Sequence, residues 1–202
     1  ACLLGFADPD VNAAAARRVM LGAMSTLNSA DELELAELLV DLHPWAHMAR
    51  FTRTGAESMA VAVRIARAKT RHDVIAFCGY HGWEDWYVAA NLSSSGSVDR
   101  LDGHLMPGIE PLGVPAALAD TALPFRYNNV DDLAQIVREH GDQLAAIVLE
   151  TTRVIDPEPE FLAAVEDLAN QCQAIVIFDE ITAGWRMHLG GSHLRYGVNP
   201  DL

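Results

Sequence analysis

Asp179 and Glu180 stand together at the end of the apolar run Ala174 to Phe178, which delivers both carboxylates to one loop. Five consecutive apolar residues suit a parallel strand covered on both faces by helices. Ligands in such sheets bind beyond the carboxyl ends of the strands, where Asp179 falls. A carboxylate in that place can pair with a cationic ligand nitrogen, hold magnesium as a Walker B acid, or simply cap the strand end. The magnesium role needs a phosphate loop of the form GxxxxGK followed by Ser or Thr. The only lysine of the chain, Lys69, stands in ArgAlaLysThr without the glycines, so an ATPase is set aside. The other two readings stay open, and Arg186 is either an ion-pair partner of Asp179 or a solvated charge.

Two further segments carry polar chemistry next to glycine. Thr54, Gly55, Ala56 and Glu57 lie where a strand should turn into a helix. Free amides and the positive end of a helix dipole hold anions there, and Gly55 would let a phosphate approach the backbone. Taken alone, the same residues fit an ordinary strand-to-helix turn with Thr54 as N-cap at least as well. Tyr80, His81, Gly82 and Trp83 follow another strand, and offer an aromatic face on which a planar ligand could stack. His81 alone fits a structural hydrogen bond or a functional one, since no HxH or HExxH spacing recruits His72, His104 or His188 to a metal.

The elements that must position these residues follow from capping and periodicity. AspProAsp at 8 to 10 starts a helix over Val11 to Met24, and Ser29 to Leu42 reads as a second, capped at Ser29 or Asp31. His47 to Thr52 reads as a short strand, Glu57 to Lys69 as a helix and Val74 to Cys78 as a strand. Residues 91 to 124, with their Ser, Gly and Pro, read as one long loop, then Asp131 to His140 as a helix and Ala145 to Leu149 as a strand. Pro159 to Cys172 reads as a helix and Ala174 to Phe178 as the strand that delivers Asp179. Strands alternating with helices imply an α/β fold with a mainly parallel sheet, in one domain.

Composition narrows the partners. With 14 Lys and Arg against 28 Asp and Glu, the 202-residue chain has a formal charge of −14, which disfavours a nucleic-acid backbone or an anionic membrane. No apolar run approaches the roughly 18 residues of a membrane span. Cys2, Cys78 and Cys172 are an odd number at wide spacing, as expected of buried thiols in a reducing cytoplasm. The N-terminus has neither an initiator Met nor a signal-peptide pattern and reads as an interior start.

Taken in order, five segments resemble the class III aminotransferases of fold type I, which use pyridoxal phosphate, and most closely the glutamate-1-semialdehyde aminomutase-like branch. Residues 3 to 11 are similar to LGHxxPxV, and residues 50 to 58 to RFxxSGTEA. Residues 78 to 83 resemble GxYHGH, and residues 178 to 186 resemble FDEVxxGFR. Residues 196 to 202 are similar to the phrase before the Schiff-base lysine. The resemblance implies a three-layer large domain in which Gly55 and Ala56 hold the cofactor phosphate beside Thr54. It implies that Tyr80 stacks on the ring with His81 shaping that wall, that Ile181 packs on the opposite face, and that Asp179 pairs with the pyridinium nitrogen. Glu150 matches the glutamate of the family's EP pair, and residues 91 to 113 match a mobile gate of the aminomutase branch. Substrates would be a small-molecule amino donor and a carbonyl acceptor, and the parent a homodimer. The phrases at 78 to 87 and 101 to 108 also resemble members found with surface-sugar synthesis, which implies an amino or keto sugar.

The departures from the family are specific. Ala56 replaces threonine, Thr151 replaces the proline after Glu150, Trp185 replaces phenylalanine, and Arg53 stands where a small or polar residue or a lysine is usual. The family's lysine lies just past ProAspLeu, where this sequence stops, and Lys69 is expected at the far end of its helix from Gly55. Two expectations follow: a central large-domain fragment, lacking the small domain and inactive alone, or a binding domain that keeps the fold without the chemistry.

Overall fold

The computed structural model describes residues 3–22, 26–92, 110–152 and 154–202, which group into two compact units, residues 1–50 and 51–202. The first unit holds two helices, each started by its own side-chain cap. In α1 (Pro9–Leu21) the Asp8 carboxylate accepts from the amides of Asp10 and Val11, Pro9 supplies the fixed φ of a first turn, and Gly22 ends the helix at φ 100°. In α2 (Ala30–Leu42) Ser29 and Glu32 form a reciprocal capping box. Neither helix buries a residue. The expected continuation of α1 to Met24 falls partly outside the described residues, as do Cys2, most of the 91 to 113 segment and the phrase at 101 to 108.

The second unit alternates helices and strands: α3 (Gly55–Thr70), β1 (Val74–Cys78), α4 (Asp85–Val88), β2 (Ala122–Pro124), α5 (Val130–His140), β3 (Leu144–Leu149), α6 (Phe161–Cys172), β4 (Ile175–Phe178) and α7 (Ser192–Tyr196). The strands pair in parallel in the order β2-β1-β3-β4. Burial on both faces is why they read as continuous apolar runs. The period of two divides them cleanly. Val74, Ala76, Cys78, Ile147, Leu149, Val176 and Phe178 pack against Leu133, Phe161 and Val165 of α5 and α6. Ile75, Phe77, Val148 and Ile177 pack with Met59, Val63 and Ala66 of α3 and with α4. Ala145 and Ala146 face the same side because the register slips by one residue between Val74 and Ile75. The result is three layers, helices on sheet on helices.

Two expectations change. His47 to Thr52 is not a strand: it has no ladder among the described residues, and the Thr52 hydroxyl turns instead to the Thr54 carbonyl (3.1 Å) and the Ser58 hydroxyl (2.5 Å). The supposed loop at 91 to 124 contains β2, whose three residues lack a β-branched side chain and end in Pro124. A proline is tolerated there because β2 flanks only one described strand. The short helices α4 and α7 have too few residues to show a period. Elsewhere the strand and helix limits shift by one or two residues. At the other side of the sheet, the amide of Leu202 donates to Val176 O (3.2 Å) and Phe178 N donates to Leu202 O (3.1 Å), a parallel pairing that runs beside β4.

Because Ile147 is fully buried on the central β3, Ile147→Ala should lower stability by about 2–5 kcal/mol. A urea titration should show the lower midpoint with an unchanged slope. Leu38→Ala on exposed α2 should cost less than about 0.5 kcal/mol.

Candidate functional site

Cys78, Leu149 and Phe178 are paired across the three adjacent strands, so the residues that follow them, Gly79, Glu150 and Asp179, leave the sheet side by side. Alternation turns all three toward the face that carries α3. Asp179 N still donates to Leu149 O at 2.9 Å, which prolongs the ladder to the site itself. Glu150 and Asp179 are both 4% exposed. The spacing is tight: a Cβ on Gly79, whose φ is 107°, would lie 3.2 Å from Glu150 Oε2. Burial pushes the Cys78 thiol up to about 12, and the charges of Glu150 and then Asp132 add to this, so Cys78 is an inert thiol beneath the site.

Asp179 is held from two sides. Its Oδ1 accepts from Ile181 N at 3.0 Å, the turn-capping role open to it from sequence. Its Oδ2 lies 2.9 Å from His81 Nδ1. His81 Nε2 lies 2.9 Å from Cys78 O, which can only accept, so Nε2 carries a hydrogen. One more proton must lie between Nδ1 and Oδ2. The pair is therefore neutral overall, whichever atom holds that proton, which makes its burial tolerable. Rings fix the imidazole: Trp86 stacks at 6.3 Å, Phe77 and Tyr87 present edges, and Tyr87 donates its hydroxyl to Gly79 O at 3.0 Å. Arg186 is exposed and donates Nε to Thr182 O.

Across from Asp179 is the start of α3. Thr54 Oγ1 accepts from Glu57 N at 3.2 Å and Thr54 O accepts from Ser58 N at 3.0 Å, whereas the amides of Gly55 and Ala56 have no acceptor among the described residues. Gly55 serves packing as well as approach: a Cβ there would overlap the Ile181 side chain. Gly82, at φ 101°, brings its loop against Ala56, whose Cβ would be 3.0 Å from an added one. Between these walls lies a cavity of about 350 Å³. Gly55, Ala56, Tyr80, His81, Glu150, Asp179 and Ile181 line it, so seven of the eight residues singled out from sequence meet in one place. Thr54 stays behind as the cap. Trp83 and Thr182 complete the rim.

Sequence reasoning gave Glu180 no task separate from its neighbour. Its carboxylate points away to α7, accepting from Ser192 N (2.9 Å), Ser192 Oγ (2.8 Å), His193 N (2.8 Å) and His193 Nδ1 (3.0 Å). Burial pushes this carboxyl up, but the hydrogen bonds from His193 and Ser192 outweigh it, so its pKa lies below the ordinary glutamate value. The signal that could have shown this is GlyGlySerHis at 190 to 193, a turn and helix start with two donors ready for a carboxylate.

The class-III aminotransferase family matches residues 1–202. A 3-aminobutyryl-CoA aminotransferase from Cloacimonas acidaminovorans (strain Evry) is 31% identical over 99% of this chain and 45% of its own length. A glutamate-1-semialdehyde 2,1-aminomutase from Roseiflexus castenholzii (strain DSM 13941 / HLO8) is 34% identical over 99% of this chain and 46% of its own. The crystal structure of an omega-transaminase from Sphaerobacter thermophilus superposes with a TM-score of 0.81 at 31% identity, over 98% of this chain and 46% of that one. The chain thus spans a little under half the length of the relatives it matches, and its fold is that of the fold type I transaminases. It belongs to the class-III aminotransferase family.

Proposed function

We propose that the chain is part of the large domain of a pyridoxal-phosphate-dependent aminotransferase or aminomutase, whose parent moves an amino group from a small-molecule donor to a carbonyl carbon, or within one substrate. The observation that carries this reading is Asp179: a buried carboxylate, locked by His81, on the wall of a cavity that the start of a 16-residue helix also lines. The residues fit the cofactor. The amides of Gly55 and Ala56, at the positive end of α3, would hold the phosphate, and Thr54 still has its hydroxyl hydrogen to donate. Ala56, in place of threonine, contributes its amide alone. Tyr80 and Ile181 would bracket the ring, and Asp179 would accept from the pyridinium N–H. When bound, the protonated ring supplies an electron sink for a substrate carbanion. His81 keeps Asp179 oriented, and Glu150 lines the wall beside it.

The amine that such chemistry needs is not Lys69. It sits in the last turn of α3, roughly 20 Å from Gly55 at 1.5 Å per residue. Leu202, by contrast, runs parallel to β4 toward Asp179, so a parent that continues this strand would bring its next residues to the cavity edge, where the family resemblance places the lysine. The parent is proposed to work as a homodimer, since large side chains such as Phe6, Met20, Leu27 and Trp83 are exposed in the single chain.

Pyridoxal phosphate added to the 202-residue chain should quench its tryptophan fluorescence with a saturable dependence, and Asp179→Asn should weaken that binding roughly 10- to 100-fold, as expected for loss of a charged hydrogen bond. Equal affinity in the two proteins would remove Asp179 from the cofactor. Borohydride reduction followed by peptide mass spectrometry is expected to find no pyridoxyl group on any cavity residue; measurable transamination by the isolated chain would contradict this account. Sedimentation velocity should show association that grows with concentration, and a monodisperse monomer at high concentration would count against the homodimer.

A further inference from the structure

The backbone of the Glu150 segment and that of the Asp179 segment are joined by two buried side chains, Thr151 and Ser192, and the partly buried Glu180, behind the cavity. We propose that Thr151, Ser192 and Glu180 form a positioning relay that fixes these two segments against each other and so sets the shape of the cofactor cavity. It rests on the function proposed above. Thr151 and Ser192 are fully buried and their hydroxyls are in hydrogen-bond contact. The direction of the chain follows from the acceptor at its end: the Glu180 carboxylate has only lone pairs, so Ser192 Oγ donates to it and must receive its own hydrogen bond from Thr151. Thr151 Oγ thus donates, Ser192 Oγ passes on, and Glu180 terminates the relay.

Each end is anchored to a residue next to a cavity-wall carboxylate. Thr151 follows Glu150, and its carbonyl accepts from the Tyr127 hydroxyl at 2.7 Å. Glu180 follows Asp179, and its carbonyl accepts from Gly184 N at 2.7 Å, closing the turn that carries Ile181. The glycines show how closely this is packed. A Cβ on Gly184 would lie 2.6 Å from Glu180 O, and one on Gly191, at φ 138°, would lie 2.7 Å from His193 Nδ1 and 3.3 Å from Glu180 Cδ. Thr151 stands where the family pattern has proline. Proline limits its own φ but has no hydroxyl, so in this chain a hydrogen-bonded link takes over the fixing of the segment.

Thr151→Val removes the hydroxyl at nearly constant volume, and Thr151→Ser restores it. Thr151→Val and Ser192→Ala should each weaken pyridoxal phosphate binding by the 202-residue chain about 3- to 10-fold, the size of one net hydrogen bond. The double variant should be no weaker than the worse single one, because both cut the same relay. Thr151→Ser should bind like the original chain. The ring nitrogens of His81, read by 15N NMR in the ligand-free protein, should shift in Thr151→Val and return in Thr151→Ser. Lower thermal stability in Thr151→Val with unchanged affinity and unchanged His81 signals would reduce the cluster to packing and overturn the relay. If the original chain binds no pyridoxal phosphate, the proposed function fails separately, and the His81 signals alone decide: shifted and restored supports the relay, identical in all three proteins overturns it.

Discussion

A carboxylate at the inner end of a buried strand is stable only if its charge is answered, and the contact between Asp179 and His81 is that answer. It joins the end of β4 to the loop after β1, across the intervening β3. The imidazole cannot rotate to release it, because its other nitrogen is held by Cys78 O and its faces and edges by Trp86, Phe77 and Tyr87. The aromatic cluster beneath the site is therefore part of the site's electrostatics as well as of its packing. A pre-oriented acceptor is more useful to a ligand cation than a mobile one, since no reorganisation accompanies binding.

The register of the sheet gives that contact its place. Had β3 slipped by one residue along its whole length, Glu150 would face α6 and the cavity would lose its middle wall. The slip that does occur is confined to Ala145, at the far end, and is absorbed by two alanines small enough to share one face beneath α3. Parallel pairing then delivers Gly79, Glu150 and Asp179 to one edge. The start of α3 comes to that edge from the same layer, and Gly55 admits Ile181 where any side chain would block it.

What could be read from sequence follows the same division. β1, β3 and β4 announced themselves because strands buried on both faces need uninterrupted apolar residues, and Thr54, Ser29 and Asp8 announced helix starts because caps need particular oxygens. Asp179, Gly55 and Tyr80 were legible as separate possibilities, and only the ordered family resemblance predicted that they meet. β2, α4 and α7 were not legible: three to five residues carry no period, and they are held by neighbours distant in sequence. Glu180 was hidden for a different reason. Two adjacent carboxylates look alike in a sequence, but strand alternation sends them opposite ways, one to His81 and the other to Ser192 and His193.

That opposition makes the pair AspGlu a single device. The two residues share a peptide bond, so holding the Glu180 side chain limits the positions open to Asp179. Four donors converge on Glu180, two of them amides of α7, and amides at a helix start cannot turn away as side chains can. The stiffness of the cavity wall is thereby borrowed from elements behind it. A site built in this way should tolerate replacements on the cavity surface, such as Ala56 where the family pattern has threonine, more readily than replacements behind it, because a lost hydroxyl removes one donor whereas a lost link at Glu180 loosens the segment that carries Asp179.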